Sequence, residues 1–184
     1  MLNQNGYLEI IIGPMFSGKT TYLVNLYNNY INTNKSVIVI NYEEDKRYHN
    51  HMLSTHDLTT IPCVFTTKIC DVLTDLSADI ILINEGQFFP DLFETVTLLV
   101  ENHGKIVHVC GLDGDFKRQR FGTLLDLIPL CDTIIKLNAK CNICKDPALF
   151  SHRVTNETLQ VVIGSSNYMP LCRKCYITEN NTHR

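Results

Sequence analysis

No run of apolar residues in this chain approaches the ~20 that a bilayer-spanning helix needs, so no membrane partner is expected. Positive charge is not in excess either. The formal net charge is −3, whereas a nucleic-acid binder would ordinarily carry a basic face, so no nucleic-acid partner is expected. The opening stretch, residues 1–6, is polar and has no signal-peptide pattern, which makes the expected setting cytoplasmic. Internal repeats and low-complexity tracts are missing, which sets aside solenoids and disordered linkers. What remains is ordinary for a globular protein: 184 residues, 45% hydrophobic and 19% charged. A chain of this length can bury roughly 70% of its unfolded surface, enough for one domain and a small appendage.

Five apolar, β-branched runs stand out, at residues 7–12, 37–40, 80–83, 106–110 and 133–137. Bounded by polar residues or glycine, they read as strands buried on both faces of a parallel sheet. Helical spacing lies between them, most clearly at 20–32, and again at about 68–76 and 91–102. The alternation predicts an α/β fold. Residues 43–60, rich in His, Asp and Asn, are expected to form an exposed loop. Past about Ala139 the helical periodicity stops and short strand-like runs such as 159–163 take over. The expected division is an α/β domain over 1–138, a small lobe over 139–178 and a polar tail over 179–184.

Gly13-Pro14-Met15-Phe16-Ser17-Gly18-Lys19-Thr20 has the spacing G-x-x-x-x-G-K-[ST] of a phosphate-binding loop. A buried strand precedes it, and Leu23, Leu26, Tyr27, Tyr30 and Ile31 follow at helical spacing. Backbone N–H groups and the positive end of the following helix make such a loop an anion site. Lys19 is expected to reach β/γ-phosphates and Thr20 to place its hydroxyl on Mg²⁺. The plainer alternative is a chance match at a strand–turn–helix joint. With the loop in place, the sheet is expected to be of the P-loop NTPase kind.

The apolar strand Ile80-Ile81-Leu82-Ile83 ends in Asn84-Glu85. An acidic pair there would suit a strand that supports Mg²⁺, but Asn84 offers a carbonyl oxygen without charge. Glu85 is positioned to be a general base that takes a proton from an attacking hydroxyl or water. A solvent-facing carboxylate is the competing reading. Farther on, Lys117, Arg118 and Arg120 cluster between Phe116 and Phe121. The cations could hold phosphate and the aromatics could cover a flat ligand. A solvated turn with Phe116 in the core competes.

Eight cysteines fall into two groups. Cys63, Cys70, Cys110 and Cys131 are scattered and are expected as small buried hydrophobes. Cys141-x-x-Cys144 and Cys172-x-x-Cys175 clamp the base of a loop covering 145–171, the pattern of a four-thiolate zinc site. Filled by four cysteines, such a site is structural and adds on the order of 10–16 kcal/mol of apparent folding free energy in small modules. Two disulfides or four free thiols are the alternatives. A redox pair fits less well, because there are two pairs and no thioredoxin-like pattern.

Taken in order, several segments resemble the zinc-containing (type II) thymidine kinases, over nearly the whole chain. They are the phosphate loop, Asp45-Lys46-Arg47-Tyr48, Thr55-His56-Asp57, Glu85-Gly86-Gln87-Phe88-Phe89-Pro90-Asp91, Leu112-Asp113-Gly114-Asp115-Phe116, and the cysteines ending in Cys172-Arg173-Lys174-Cys175-Tyr176. The resemblance implies transfer of the γ-phosphoryl of ATP, with Mg²⁺, to the 5′-hydroxyl of thymidine. It makes Glu85 the catalytic base. It places residues 13–20, Asp45, Arg47, Asn84 and Gln87 at ATP and its metal. Met15, Phe88, Leu112, Phe116, Phe121 and Ser151 would line the nucleoside pocket. A lasso stapled by structural Zn²⁺ at the four cysteines would close over the base, with main-chain groups of Gln160, Val161, Val162, Ile163 and Gly164 on the pyrimidine and Tyr168 on the nucleoside. A tetrameric homo-oligomer inhibited by thymidine triphosphate is also implied.

This chain departs from the family pattern in three places. Asn84 replaces the usual aspartate, which implies weaker Mg²⁺ binding. Ser151 stands where a threonine commonly meets the base methyl group. Residues 163–168 are one residue shorter than usual. Two other function classes compete. A nucleic-acid-linked ATPase would use the zinc unit as a ribbon, yet residues 139–176 set Lys140, Lys145, Arg153, Arg173 and Lys174 against Asp146 and Glu157, a mildly basic balance with no stripe. A catalytically dead scaffold is supported by Asn84 alone and opposed by intact Lys19, Thr20 and Glu85.

Overall fold

The computed structural model describes residues 5–44, 52–55, 57–162 and 164–181. Strand β1 (Tyr7–Ile12) runs through the phosphate loop into helix α1 (Lys19–Tyr30), followed by β2 (Val37–Tyr42). A short antiparallel hairpin, β3 (Met52–Ser54) with β4 (Thr60–Pro62), precedes β5 (Val64–Thr66). Then come β6 (Ile80–Ile83), helix α2 (Leu92–Thr97), β7 (Ile106–Gly111) and β8 (Thr133–Lys136). Six of these strands form one parallel sheet in the order β5-β2-β6-β7-β1-β8, as the alternating pattern predicted.

The sheet buries both faces, which is why its strands read as unbroken apolar runs. Successive side chains alternate sides. Leu8, Ile10, Ile12, Ile81, Ile83, Val107 and Val109 pack toward Leu92 and Val96 of α2. Ile11, Ile80, Leu82, Val39 and Cys110 pack toward Leu23 and Val24 of α1. Each fully buried Leu or Ile contributes roughly 1.5–3 kcal/mol. The α1 side also buries two polar residues that are cross-strand neighbours, Glu9 on β1 and His108 on β7. His108 Nδ1 lies 2.7 Å from Glu9 Oε2, and its Nε2 lies 3.0 Å from the Tyr30 hydroxyl. Burial pushes the His108 pKa below its ordinary value and keeps the imidazole neutral. A carboxylate only accepts, so Nδ1 carries the proton and Nε2 accepts from Tyr30.

Four expectations are corrected. The helix expected at 68–76 shrinks to a single tight turn, Ile69–Val72, whose opening N–H groups are capped by the Asp91 carboxylate at 3.2 and 3.0 Å. The helix at 91–102 is α-helical only to Thr97 and widens into a π turn over Leu98–Asn102. The loop expected at 43–60 contains β3 and the start of β4. Of the four scattered cysteines only Cys110 is buried, while Cys63 and Cys131 are half-buried and Cys70 is exposed.

The remainder packs around a core of its own. Hairpin β9 (Ala139–Lys140) and β10 (Pro147–Ala148) is followed by hairpin β11 (Phe150–Arg153) and β12 (Tyr168–Leu171), then helix α3 (Arg173–Asn181). Ala139, Cys141, Ala148, Leu171, Cys172, Cys175 and Tyr176 form the core. Of the run expected as a strand at 159–163, residues 159–162 pair with no strand among the described residues; the carbonyls of Leu159, Gln160 and Val162 turn to side chains instead. Among the described residues, no helix is long and apolar enough to cross a membrane.

Candidate functional site

The phosphate loop leaves the carboxyl end of β1, the end of a parallel sheet where ligands bind. Gly13 has no room for a side chain: a Cβ there would lie 2.4 Å from the Leu137 carbonyl oxygen and 2.8 Å from Ser17 Oγ. Gly18, at φ 84, turns the chain into α1. Lys19 is buried and folds back over the loop, its Nζ donating to the carbonyls of Gly13 (3.1 Å) and Pro14 (2.8 Å). The Ser17 hydroxyl oxygen is buried without a hydrogen-bond partner among the described residues. An orphaned hydroxyl and a buried ammonium group on one loop, both lining one pocket, suit a loop shaped around an anion.

Glu85 follows β6 at φ 55, a left-handed conformation that a non-glycine residue adopts at a cost of about 1–3 kcal/mol. The turn aims the residue into the same pocket that Ser17, Lys19 and Thr20 line. Gln87 holds the carboxylate: its Nε2 donates to Glu85 Oε2 at 2.7 Å, while its Oε1 accepts the Leu112 N–H at 3.0 Å. Glycines make room for that clamp. A Cβ on Gly111 would lie 2.5 Å from Gln87 Oε1, and one on Gly122, at φ +61, would lie 2.2 Å from the Gln87 carbonyl oxygen. Gly122→Ala is therefore expected to destabilise the protein by about 2–4 kcal/mol, from backbone strain and overpacking together. Urea unfolding checks this; a loss below about 1 kcal/mol would mean the Gln87 backbone yields freely.

An aromatic chamber adjoins Glu85. Phe88 stacks on Tyr42 (5.0 Å between centroids, 21°) and meets Phe121 edge-on (5.2 Å, 87°). Phe116 and Tyr168 add further walls. The hairpin β11–β12 closes the top. Its buried Ser151 accepts the Met15 N–H at 2.9 Å, tying hairpin to phosphate loop. Gln160 donates through Nε2 to Asp115 Oδ2 (2.9 Å) and to the Arg120 carbonyl (3.1 Å).

The pocket thus gathers most of the predicted site. The loop residues Met15 to Thr20 line it, as do Glu85, Gln87, Phe88 and Leu112. Phe116, Phe121, Ser151, Gln160, Val161, Val162, Gly164 and Tyr168 complete its far wall. Gly13 and Pro14 stand behind it and offer carbonyls to Lys19. Asn84 also lies outside the wall: it is buried, and its amide donates to Asn41 Oδ1 at 2.9 Å across β6 and β2. Asp45, Arg47 and Ile163 lie outside the described residues. The three clustered cations do not line the pocket. Arg118 lies over the Tyr176 and Phe150 rings, Arg120 pairs with Asp126, and Lys117 sits 5.3 Å from the centre of Phe116. Thr21, Tyr42 and Ser54 also line the pocket, and motif reasoning missed them; Gly114 and Asp115, quoted within the motif at 112–116 but given no role of their own, line it too. Tyr42 had a usable signal, the carboxyl end of a parallel strand; Ser54, in a three-residue strand, had none.

The four cysteines of the paired motifs converge. Sγ atoms of Cys141, Cys144, Cys172 and Cys175 all lie within 4.8 Å of one another. Cys172 and Cys175 open α3, and Cys141 and Cys144 sit in the turn between β9 and β10. Four thiols at that spacing fit a tetrahedral soft-metal site, where metal–sulfur bonds are about 2.3 Å.

A family model for thymidine kinase matches residues 6–176. The thymidine kinase of Yaba monkey tumor virus (strain VR587) is 41% identical over 183 residues, covering 98% of this chain and 100% of its own. Those of Variola virus (isolate Human/India/Ind3/1967) and Vaccinia virus (strain Western Reserve) are each 44% identical over 176 residues, covering 94% of this chain and 97% of their own. With the match running from β1 to the last cysteine pair, this chain belongs to the thymidine kinase family.

Proposed function

We propose that the protein transfers the γ-phosphoryl group of ATP to the 5′-hydroxyl of thymidine, with Glu85 as general base. One observation carries this reading above the others: the phosphate loop, the Glu85 carboxylate and the aromatic chamber open into one pocket. Donor, base and acceptor can then share a single enclosure, as an in-line transfer requires. Family membership supports it.

Phosphoryl transfer leaves the protein little covalent chemistry, so positioning and electrostatics do most of the catalysis. The loop N–H groups and Lys19 take up the phosphate charge; Lys19 gives up the Gly13 and Pro14 carbonyls to do so. Glu85 accepts the proton of the 5′-hydroxyl as that oxygen attacks, and Gln87 keeps the receiving carboxylate oriented. Phe116, Phe121 and Tyr168 enclose the flat base. The segment between β11 and β12 covers the chamber and limits water, which protects ATP from hydrolysis. Asp45 and Arg47 serve the nucleotide, and Ile163 the base. Thr20 would hold Mg²⁺, which when bound neutralises charge on the β- and γ-phosphates. Asn84 commits its amide to Asn41 and brings no charge, which supports a weaker metal site. The four cysteines would hold a structural Zn²⁺. The nucleotide-binding part spans 1–138 and the covering part 139–178.

A transfer assay with labelled ATP, Mg²⁺ and either thymidine or deoxycytidine tests the reading. Labelled thymidine monophosphate is the expected product. Free phosphate without any phosphorylated nucleoside would overturn it.

A further inference from the structure

Arg153 ends β11 at 5% exposure, although its guanidinium is always charged. A charge so far from water needs partners supplied by the fold. Here they are oxygens of the segment that follows. One terminal nitrogen donates to the carbonyls of Glu157 (2.9 Å) and Leu159. The other donates to the Gln160 carbonyl (3.1 Å) and the Tyr168 hydroxyl. That hydroxyl in turn donates to the Val162 carbonyl at 3.0 Å. The guanidinium carbon lies 3.7 Å from the centre of the Phe116 ring and 5.0 Å from that of Tyr168. Both rings wall the pocket, as do Gln160, Val161 and Val162.

Carbonyl oxygens of the segment are thus drawn to one cation. Among the described residues, the N–H groups of Gln160, Val161 and Val162 enter no hydrogen bond. Acceptors are consumed on one side, and donors remain beside the chamber. A flat ring that offers carbonyl oxygens is the complement of that surface; a ring offering an amino group in the same place is not.

We infer that Arg153 is a positioning residue for base selection: it gathers the carbonyls of Glu157, Leu159 and Gln160 and backs Phe116, so that the segment presents N–H donors and a fixed aromatic face to an acceptor-rich base. The inference rests on the nucleoside reading above. Lysine cannot replace it, because an ammonium group has neither the planar fork nor the stacking face.

Steady-state kinetics of Arg153→Lys against the parent, with zinc content measured on both, test this. The KM for thymidine is expected to rise roughly 100-fold, with the KM for ATP within about threefold and zinc unchanged. The preference for thymidine over deoxycytidine, which carries an amino group in place of a carbonyl, is expected to fall about tenfold, a change that a merely structural staple would not produce. Hydrogen exchange on the parent gives a second reading, independent of how the variant folds. Amides 160–162 should exchange fast in the free protein and slow on saturation with thymidine. An unchanged thymidine KM and base preference in an active Arg153→Lys would overturn the inference, as would amides 160–162 already protected without ligand. A parent that does not phosphorylate thymidine would instead overturn the kinase reading, and this inference with it.

Discussion

Replacing Glu85 by glutamine should lower kcat for thymidine phosphorylation by roughly 100- to 10,000-fold, the usual contribution of a positioned general base. The change is nearly isosteric. The glutamine side-chain oxygen can still accept from Gln87 Nε2, which lies 2.7 Å from the present carboxylate, so the left-handed turn and the clamp should persist. What disappears is the ability to take a proton. Binding of ATP and thymidine should therefore stay within a few-fold, giving the signature of an interaction made only in the transition state. Single-turnover assays with calorimetric titration of each substrate separate these terms. A variant that keeps kcat within about threefold would show that Glu85 is not the base.

The second large effect is expected at the cysteines. Cys172→Ser should abolish stoichiometric metal binding and thymidine turnover while leaving the parallel sheet folded. The reason is the poverty of the C-terminal core: three of its seven buried members are themselves cysteines, beside two alanines, one leucine and one tyrosine. Without a metal to tie them, that cluster buries too little apolar surface to offset chain entropy. The segment carries Ser151, Gln160 and Tyr168, so the chamber should lose its cover, whereas ATP binding at the phosphate loop should survive. Zinc content, limited proteolysis across residues 139–181 and ATP titration read the three parts separately. Full turnover by metal-free protein would overturn the expectation.

The interior strands β1, β2, β6 and β7 were legible because they are buried on both faces, and a continuous apolar run has few other uses. The runs at 7–12 and 80–83 coincide with β1 and β6, and β2 and β7 extend one or two residues beyond expectation. The edge strand β5 escaped because three residues are too few for a pattern. The motif residues were legible because phosphate binding and metal ligation fix both residue type and spacing. The task of Gln87, expected at the nucleotide but found clamping Glu85, and that of Arg153 show what was not. Each works through atoms brought close by the fold, Leu112 N–H for one and a run of loop carbonyls for the other. A lone glutamine or arginine carries no spacing that announces such a task. The run expected as a strand at 159–163 has the same cause: its apolar residues suggested a strand, but among its described residues a side chain rather than a neighbouring strand takes up the Leu159 and Gln160 carbonyls.

The polar trio beneath α1 has a consequence for assembly of the site. Glu9, His108 and the Tyr30 hydroxyl can satisfy one another in a single alignment of α1 over the sheet. If the helix slid by one turn, Leu26 would stand where Tyr30 stands, and a buried imidazole nitrogen would lose its donor. Apolar contacts alone tolerate such a slip, because one greasy ridge packs much like the next. The trio therefore works as a keyed lock on the helix, and because α1 begins with Lys19 and Thr20, a lock at its far end sets where those two side chains stand at the near one.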